Sequence, residues 1–549
     1  MAEGVKFLSC PGATDTKIIL PTLDGYTITI AESSHPEIVD VEGNINRSNT
    51  QTYGVRLTLN VKNNVTGASG KTNPLLVPIY KTYVSPNMTE AEILKEHEDY
   101  RSKAYGIFVH YISEYASGST CYIDGSRVLT VDDLADNFNA VQFAKDMKDY
   151  GVEYVVLTMW HGDTRTLFPS MTNQRWRDDR REDNTITKSY SDRDVIEDLL
   201  NELDKYDIDL HLYTHPTDGH DFAAEDQELT GWNDTAGNYA TWNQYINELY
   251  YEVCERYGDR IKGLWFDGVF GRTAGGANQR RLRETCLSFN PAMILTMNTG
   301  FTEGVLNPAP AYSTPDYRAW EVNRVVDFAN DMKFSRYQSA IVIGGAGWWA
   351  LQAQSEKIST IQPAEDIFKY IVAMSSVSTH GGFAASTGFY PARETDNMNG
   401  DYWMNGIRDT FLQVNEYLDP IAESVKSTSV GKAYPTTENQ TIADLTWGVS
   451  TESCDGKYIY LHVLNAPSGQ TLTLPATSDG TVLYAEAQVL NFDGSTTDIK
   501  VNKNGEGYSI TLPDGVSWNS VDTIIKAERQ AVDFETYPSV KHMGEKGGR

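Results

Sequence analysis

Residues 86–425 alternate between continuous apolar runs and amphipathic segments. Runs such as AYGIFVHY, VEYVVLTMW and IKGLWFDG are apolar at almost every position, a pattern typical of strands buried on both faces of a parallel sheet. Segments such as VQFAKDMKDYG and YINELYYEVCERYG repeat apolar residues at helical spacing. This alternation predicts a (β/α)8-type barrel, with a doubly wound open sheet as the structural alternative. Because no G-x-G-x-x-G follows an early strand, a dinucleotide-binding sheet is disfavoured.

The two ends of the chain follow a different pattern. Residues 1–85 contain short alternating runs bounded by Gly, Asn and Pro, such as KIILPTLDGYTITI, which predict a β-sandwich module. Residues 426–530 contain runs such as KYIYLHVLNAP and TVLYAEAQVLN, which predict a C-terminal antiparallel β-sandwich. Residues 531–549 are polar, and we expect a poorly ordered tail there. The predicted fold class is therefore multidomain α/β plus β, with a barrel between two sandwiches.

The charge balance narrows the class of partner. The chain has 46 Lys and Arg against 75 Asp and Glu, a net charge of −29, which disfavours binding to nucleic acid or to an anionic membrane. No apolar run approaches 18 residues, so no transmembrane helix is predicted. The five cysteines are scattered without a C-x-x-C pair, and indicate neither a zinc knuckle nor a disulfide framework. A neutral or weakly charged substrate fits this composition.

Polar side chains follow five of the predicted barrel strands. Catalytic groups of parallel barrels lie at the carboxyl ends of the strands, so we expect these side chains to line one site. The five strand ends carry His110, His161 with Asp163, Tyr213 with His215, Asp267, and Asn298.

The segment GLWFDG places the carboxylate of Asp267 directly after two aromatic residues. By itself this position has two interpretations. The carboxylate is either a reactive group held against aromatic walls or the N-cap of the next helix.

Several motifs, taken in order, resemble the α-L-fucosidases of glycoside hydrolase family 29. The segment ERYGDRIKGLWFDG is similar to the family segment in which a helix ending in YG leads to an LWFDG-like strand. The resemblance extends over about residues 95–525. It implies a barrel followed by a β-sandwich, with Asp267 as the catalytic nucleophile and Trp265 as an aromatic residue that contacts the sugar.

Further motifs carry the resemblance to other site residues. AYGIFVHY, EYVVLTMWHGDTR and LYT resemble family strands that imply substrate binding by His110, His161, Asp163 and Tyr213. The segment PDYRAWE resembles a family segment whose Glu is the acid/base in part of the family, which carries over to Glu321. At the N-terminus, residues 16–84 resemble the bacterial immunoglobulin-like modules that are often joined to glycoside hydrolases.

This chain departs from the family pattern at two points. Gly162 stands where the family has the second of two paired histidines, which normally contacts the sugar. The segment LTMNTGF also lacks a match for the arginine that often follows the strand after the nucleophile. Both departures bear on which sugar is bound.

Retaining glycoside cleavage needs two carboxyl groups ~5–5.5 Å apart, one as nucleophile and one as acid/base. Glu321 lies in a predicted loop, where the neighbouring Trp320 would raise the pKa of its carboxyl by desolvation. A solvated loop carboxylate is the alternative interpretation of Glu321. The rival acids are Asp163, Asp218, Asp221 and Glu225, which all follow predicted strands.

The segment HLYTHPTDGHD has three histidines, yet its spacing matches no metal motif. On one strand His211 and His215 would stand ~13 Å apart, too far for one ion. We therefore expect neither a metal nor another cofactor. Trp348 and Trp349 are interpreted either as a sugar platform or as packing residues.

The resemblance implies a retaining exo-α-L-fucosidase that removes terminal α-L-fucose from oligo- or polysaccharides. A related glycosidase for another or modified sugar is one alternative. A non-catalytic sugar-binding protein on a hydrolase scaffold is another. Met1–Gly4 is not a signal peptide. The expected location is nevertheless secreted, periplasmic or cell-surface in a bacterium, and the sequence does not indicate an oligomeric state.

Overall fold

The protein is described by a computed structural model that covers most of the chain. The described residues are 2–111, 122–123, 127–128, 130–217, 219–267, 279–298, 301–302, 305–306, 316–322, 327–343, 361–389, 391, 402–403 and 406–530. The predicted tail at 531–549, the Trp348–Trp349 pair and Asp218 lie outside these residues, as does the side chain of Trp320.

The centre of the chain is a closed barrel of eight parallel strands. Consecutive strands are neighbours around the barrel, and the last strand pairs with the first. This confirms the (β/α)8-type barrel and rules out the open sheet. In chain order the strands are β1 (Tyr105–Val109), β2 (Tyr154–Thr158), β3 (Asp209–Thr214), β4 (Gly263–Phe266), β5 (Ile294–Asn298), β6 (Tyr317–Val322), β7 (Gln338–Val342) and β8 (Phe383–Thr387).

Amphipathic helices cover the outside of the barrel. The helix Val195–Leu203 shows why they form: its apolar residues recur at helical spacing and are buried, and Asp194 caps its N-terminus by accepting a hydrogen bond from the backbone N–H of Glu197. The described α-helices are Glu90–Arg101, Val131–Asp136, Ala140–Asp149, Met171–Asn173, Val195–Leu203, Ala224–Thr230, Ala240–Tyr257, Gln279–Phe289, Ala364–Ser375 and Ile407–Leu418.

The N-terminal region is a four-stranded antiparallel sheet, formed by Tyr26–Ser33, Tyr53–Asn63, Ser69–Lys71 and Leu75–Ile79. Its link to the barrel includes the buried Arg175, whose guanidinium donates to the Leu8 carbonyl and to Glu248 at 2.7 Å and lies 4.2 Å from the centre of the Phe7 ring. The described strands agree with an antiparallel β region. The immunoglobulin-like character stays a prediction, as do the domain limits at 85, 425 and 530.

The C-terminal region is an eight-stranded antiparallel sheet. Buried residues from strands far apart in the sheet order, such as Ile459 and Leu472, belong to one cluster, so the sheet folds over its own core. The barrel core also continues into it, because Tyr460 and Ile524 belong to the same cluster as Val414 of the last described helix. The strands are Thr428–Val430, Val449–Ser453, Tyr458–Val463, Thr471–Leu474, Leu483–Leu490, Thr496–Asn504, Gly507–Thr511 and Thr523–Arg529.

Two short hairpins, Tyr122–Ile123 with Arg127–Val128 and Phe301–Thr302 with Val305–Leu306, complete the described strands. Within the described part of the chain, every helix is too short or too polar to cross a membrane.

Candidate active site

The candidate site lies at the carboxyl ends of the barrel strands, directly after the apolar layer that fills the barrel. Phe108, Trp265 and Ala319 belong to one buried cluster inside the barrel. Side chains two positions apart on a strand share a face, so His110, Asp267 and Glu321 follow on the inward face at the carboxyl ends of β1, β4 and β6. The ladder reaches Asp267 itself, whose N–H donates to the Thr214 carbonyl at 2.9 Å.

The carboxylate of Asp267 receives a hydrogen bond on each oxygen. The Tyr213 hydroxyl donates to Oδ2 at 2.6 Å, and the Asn298 amide Nδ2 donates to Oδ1 at 2.9 Å. Both donors are neutral, and both come from neighbouring strands, β3 and β5. They stabilise and orient the carboxylate without adding a charge of their own.

Glu321 lies in strand β6, and the prediction that it lies in a loop is wrong. Its strand pairs with β5 and β7, with Asn298 opposite Ala319 and Ala340 opposite Glu321. Hydrogen bonding to β5 and β7 on either side therefore holds this segment as a strand, although its sequence lacks a continuous apolar run. The strand position directs the carboxyl toward the barrel interior, on the same face as Ala319.

The pKa of the Glu321 carboxyl is raised to about 8. Burial is the main cause, and the negative charge of Asp267 adds to it, while a hydrogen bond with the Asn298 side chain acts in the opposite direction. The Asn298 amide therefore interacts with both carboxyl groups. At neutral pH Glu321 is protonated, and it can donate a proton beside the Asp267 carboxylate.

Three histidines cluster next to Tyr213, the donor to Asp267. The ring of His110 stacks on Phe108 at 4.8 Å, and the ring of His161 lies parallel to that of Tyr213 at 5.8 Å. His215 lies edge-on to His161 at 5.4 Å. Burial, and then the nearby His161 and His215, hold the pKa of His110 well below its usual value. A neutral imidazole at this position can donate a hydrogen bond to a sugar hydroxyl or accept one from it.

Trp265 lies below the carboxylates, in the barrel interior. Its side chain is 1% exposed, its indole N–H donates to Gln338 Oε1 at 2.8 Å, and its ring stacks against that of Tyr213 at 5.6 Å. In this position it supports the tyrosine that binds Asp267. The expected sugar contact of Trp265 stays a prediction.

The rival acids have other partners. Asp163 accepts a hydrogen bond from the Arg165 backbone N–H at 3.1 Å, and its carboxylate lies 3.5 Å from the guanidinium Nε of Arg165. Glu225 is bound at 2.7 Å by the Glu182 backbone N–H on the surface. Asp221 lies 3.1 Å from the His220 ring. Glu321 interacts with Asp267, whose negative charge helps to raise the pKa of the Glu321 carboxyl.

The histidines of the segment HLYTHPTDGHD do not converge. His211 is fully buried near the start of β3, against Tyr100, and burial lowers its pKa to about 3. His215 lies past the other end of the strand, beside His161. Within the described ranges no group of three His, Cys, Asp or Glu side chains is placed to hold a metal ion.

The sequence assigns no role to two residues of the site. Asn298 is a predicted strand end, and that position is its signal, but its contact with two carboxyls depends on β5 lying between β4 and β6. Gln338, which binds the Trp265 indole, gave no signal, because it opens its strand at the opposite end of the barrel.

Comparisons with known proteins agree with this geometry. A family model described as alpha-L-fucosidase matches residues 80–380, more than half of the 549-residue chain. A curated Caenorhabditis elegans relative, provisionally named an alpha-L-fucosidase, is 30% identical over 105 residues. The matched stretch spans only 19% of the length of that relative and 19% of this chain.

Solved structures show the same fold. An α-L-fucosidase GH29 from Bacteroides thetaiotaomicron, trapped as a covalent intermediate with 2-fluoro-fucosyl fluoride, gives a TM-score of 0.55 at 17% identity, over 81% of this chain and 98% of that chain. Alpha-L-fucosidase isoenzyme 1 from Paenibacillus thiaminolyticus gives 0.53 at 16% identity, over 80% and 100%. From the family model, which covers the whole set of carboxylates and histidines described above, we conclude that the chain belongs to the α-L-fucosidase family, glycoside hydrolase family 29.

Proposed function

We propose that this protein is a retaining exo-α-L-fucosidase that hydrolyses terminal α-L-fucose from oligo- or polysaccharides, with Asp267 as nucleophile and Glu321 as acid/base. The observation that carries the proposal is the interaction of one amide, that of Asn298, with both carboxyls. Because one short side chain interacts with both groups, the two carboxyls are neighbours, as the ~5–5.5 Å separation in retaining enzymes requires.

In the first step the Asp267 carboxylate attacks the anomeric carbon. The bond from that carbon to the leaving oxygen breaks, and the proton of Glu321 passes to the leaving oxygen. A pKa of about 8 keeps that proton on Glu321 at neutral pH. The product is a glycosyl ester on Asp267, and the aglycone departs with its hydroxyl group restored.

In the second step Glu321 acts as the base. Forming the ester removes the negative charge of Asp267, which is one of the two causes of the raised pKa of Glu321. The pKa of Glu321 therefore falls and its carboxylate becomes available. It takes a proton from water as the water oxygen attacks the anomeric carbon, and Asp267 leaves as a carboxylate.

Substrate binding is assigned to His110, His161 and Tyr213, with Asp163 and Trp265 as further candidates. Neutral imidazoles suit hydroxyl groups because each offers one donor and one acceptor. The exo mode of cleavage is part of the proposal that rests on the family resemblance.

The test is turnover of aryl glycosides with stereochemical analysis of the first product. The wild-type protein should release the phenol from the α-L-fucoside, and NMR of the fresh reaction should show α-L-fucose before mutarotation. β-L-Fucose as first product would contradict the retaining mechanism. Release from another glycoside only would favour the alternative of a different or modified sugar, which Gly162 keeps open. Binding of L-fucose without any turnover would favour a sugar-binding protein.

Two further parts of the proposal rest on sequence resemblance. An extracellular, periplasmic or cell-surface location in a bacterium suits an enzyme that acts on polysaccharides. The N-terminal sheet is proposed to be an immunoglobulin-like module, and its antiparallel pairing is consistent with that class.

A further inference from the structure

The space beside Gly162 is occupied by two side chains from a different loop. A Cβ built on Gly162 would lie 2.8 Å from Asp221 Oδ2, 3.0 Å from His220 Cε1 and 3.2 Å from His220 Nδ1. A residue with a side chain at position 162 therefore cannot coexist with His220 and Asp221 as they stand. The family histidine absent from position 162 is matched by a histidine that enters the same space from the loop after β3.

This space adjoins the histidines of the site. Gly162 is buried and directly follows His161, whose ring is parallel to that of Tyr213, the donor to Asp267. The loop that carries His220 begins at His215, which lies edge-on to the same His161 ring. His220 thus packs beside the residue that follows His161, and its side chain is 41% exposed.

We propose that His220, positioned by Asp221, replaces the missing histidine as a specificity-determining residue that binds a hydroxyl group of the sugar held over Asp267. The inference rests on the proposed glycosidase function and deepens it. Its chemistry follows from the pair itself. His220 Nε2 lies 3.1 Å from Asp221 Oδ1, a contact that orients the ring. An imidazole held in this way can form a hydrogen bond with a sugar hydroxyl.

The first experiment compares His220→Ala with the wild-type protein on the aryl α-L-fucoside and on its monodeoxy analogues. Losing a hydrogen bond to the sugar should raise the Kd for L-fucose and lower kcat/KM by about 10- to 100-fold, mostly through KM. On the one analogue that lacks the contacted hydroxyl, the variant and the wild type should be nearly equal. His35→Ala, on the N-terminal sheet, is the matched control and should change neither value. The melting temperature of each variant reports whether it has folded.

The second experiment moves the histidine back. Gly162→His alone should reduce L-fucose binding, because the new side chain meets Asp221 and His220. The triple variant Gly162→His, His220→Ala, Asp221→Ala clears that space and should bind L-fucose more tightly than His220→Ala, Asp221→Ala without the histidine. Such recovery is not expected if His220 and Asp221 only brace their loop.

The outcomes separate the two proposals. If the wild type cleaves or binds a different glycoside, the fucosidase proposal fails and the same ratios, read on that glycoside, still test His220. The inference is overturned if His220→Ala leaves binding unchanged, or lowers it equally for every deoxy analogue without recovery in the triple variant. If the wild type binds no sugar of the panel, both proposals fail.

Discussion

The two ends of the barrel each bury a carboxyl group, and the groups differ in what surrounds them. At the amino ends of the strands burial raises the pKa of Glu153, but Lys426, Lys103 and the backbone N–H groups of Ala104 and Tyr105 counteract it. At the carboxyl ends burial raises the pKa of Glu321 as well, and there the neighbouring charge is a second carboxylate.

Ion pairs reinforce the contrast. At the amino ends Lys103 lies 3.1 Å from Asp209, and Lys262 lies 2.8 Å from Glu96. Around Asp267 the Tyr213 hydroxyl and the Asn298 amide, both neutral, donate hydrogen bonds to the carboxylate. At the amino ends the carboxyl groups have cationic partners and hold the scaffold together, whereas at the carboxyl ends the charge of Asp267 helps to raise the pKa of Glu321. Burial raises the pKa of the carboxyl at both ends of the barrel. What distinguishes the two ends is the neighbouring charge, which is cationic at Glu153 and anionic at Glu321.

The sharpest test of the comparison replaces one carboxyl at each end. Asp267→Ala should lower kcat/KM by at least about 10⁴-fold with little change in the melting temperature, because the group that forms the covalent bond is lost. Azide should partly rescue it by entering the vacated space. Glu153→Gln should keep kcat/KM and reduce the free energy of unfolding by about 1–3 kcal/mol, since buried hydrogen bonds and cations lose their partner. Equal activity losses in both variants would break the comparison.

Glu321→Gln tests the protonated carboxyl. Substrates with poor leaving groups should slow by about 10²- to 10⁴-fold, whereas aryl fucosides with good leaving groups should slow far less in the first step. The wild type should lose kcat/KM as the pH rises through about 8, because the acid form of Glu321 is then depleted. The variant should lack this basic limb. A basic limb that persists in the variant would assign the acid to another residue, with Asp221 the next to test.

Tyr213→Phe removes a single hydrogen bond from the nucleophile. The loss of a donor at 2.6 Å from a carboxylate should lower kcat by about 10- to 100-fold. Tyr154→Phe is its counterpart at the amino ends, where the hydroxyl donates to the Gly381 carbonyl at 2.6 Å. That variant should be less stable by about 1–2 kcal/mol and fully active. Steady-state kinetics and urea unfolding of the two variants test whether activity depends on the carboxyl ends and stability on the amino ends.

The smallest effect is expected from metal removal. The proposed mechanism takes its nucleophile and its proton from two carboxyls, so no Lewis acid has a task in it. Incubation with a chelator should leave kcat/KM unchanged. Loss of activity that a divalent ion restores would contradict this, and it would direct attention to His215, His220 and Asp221 as ligands.

The sequence could predict the position of Asp267 because its neighbours carry the signal. An apolar strand that ends in a carboxylate after Trp265 and Phe266 is readable from local periodicity. The same rule failed for Glu321, since YRAWEV is a mixed segment that becomes a strand through pairing with β5 and β7. Its tertiary neighbours outweigh its local pattern.

Contacts between residues far apart in the chain could not be predicted from the sequence. That Asn298 would interact with both carboxyls depends on the order of strands around the barrel, which periodicity along one strand cannot supply. The packing of His220 and Asp221 against Gly162 joins residues almost 60 positions apart, and only the closed barrel brings their loops together. The sequence therefore predicts which residues end strands, and the fold decides which of them meet.

The apolar cluster that runs from the barrel helices into the C-terminal sheet bears on how the protein can be divided. Val414 and Leu418 share one continuous core with Tyr460 and Ile524. His462 lies between Asp522, at 2.7 Å, and the Ser424 carbonyl, at 3.1 Å, on that same boundary. A cut at residue 425 would therefore expose apolar surface on both halves instead of releasing a barrel that stands alone. We therefore expect the barrel and the C-terminal sheet to unfold together as one cooperative unit.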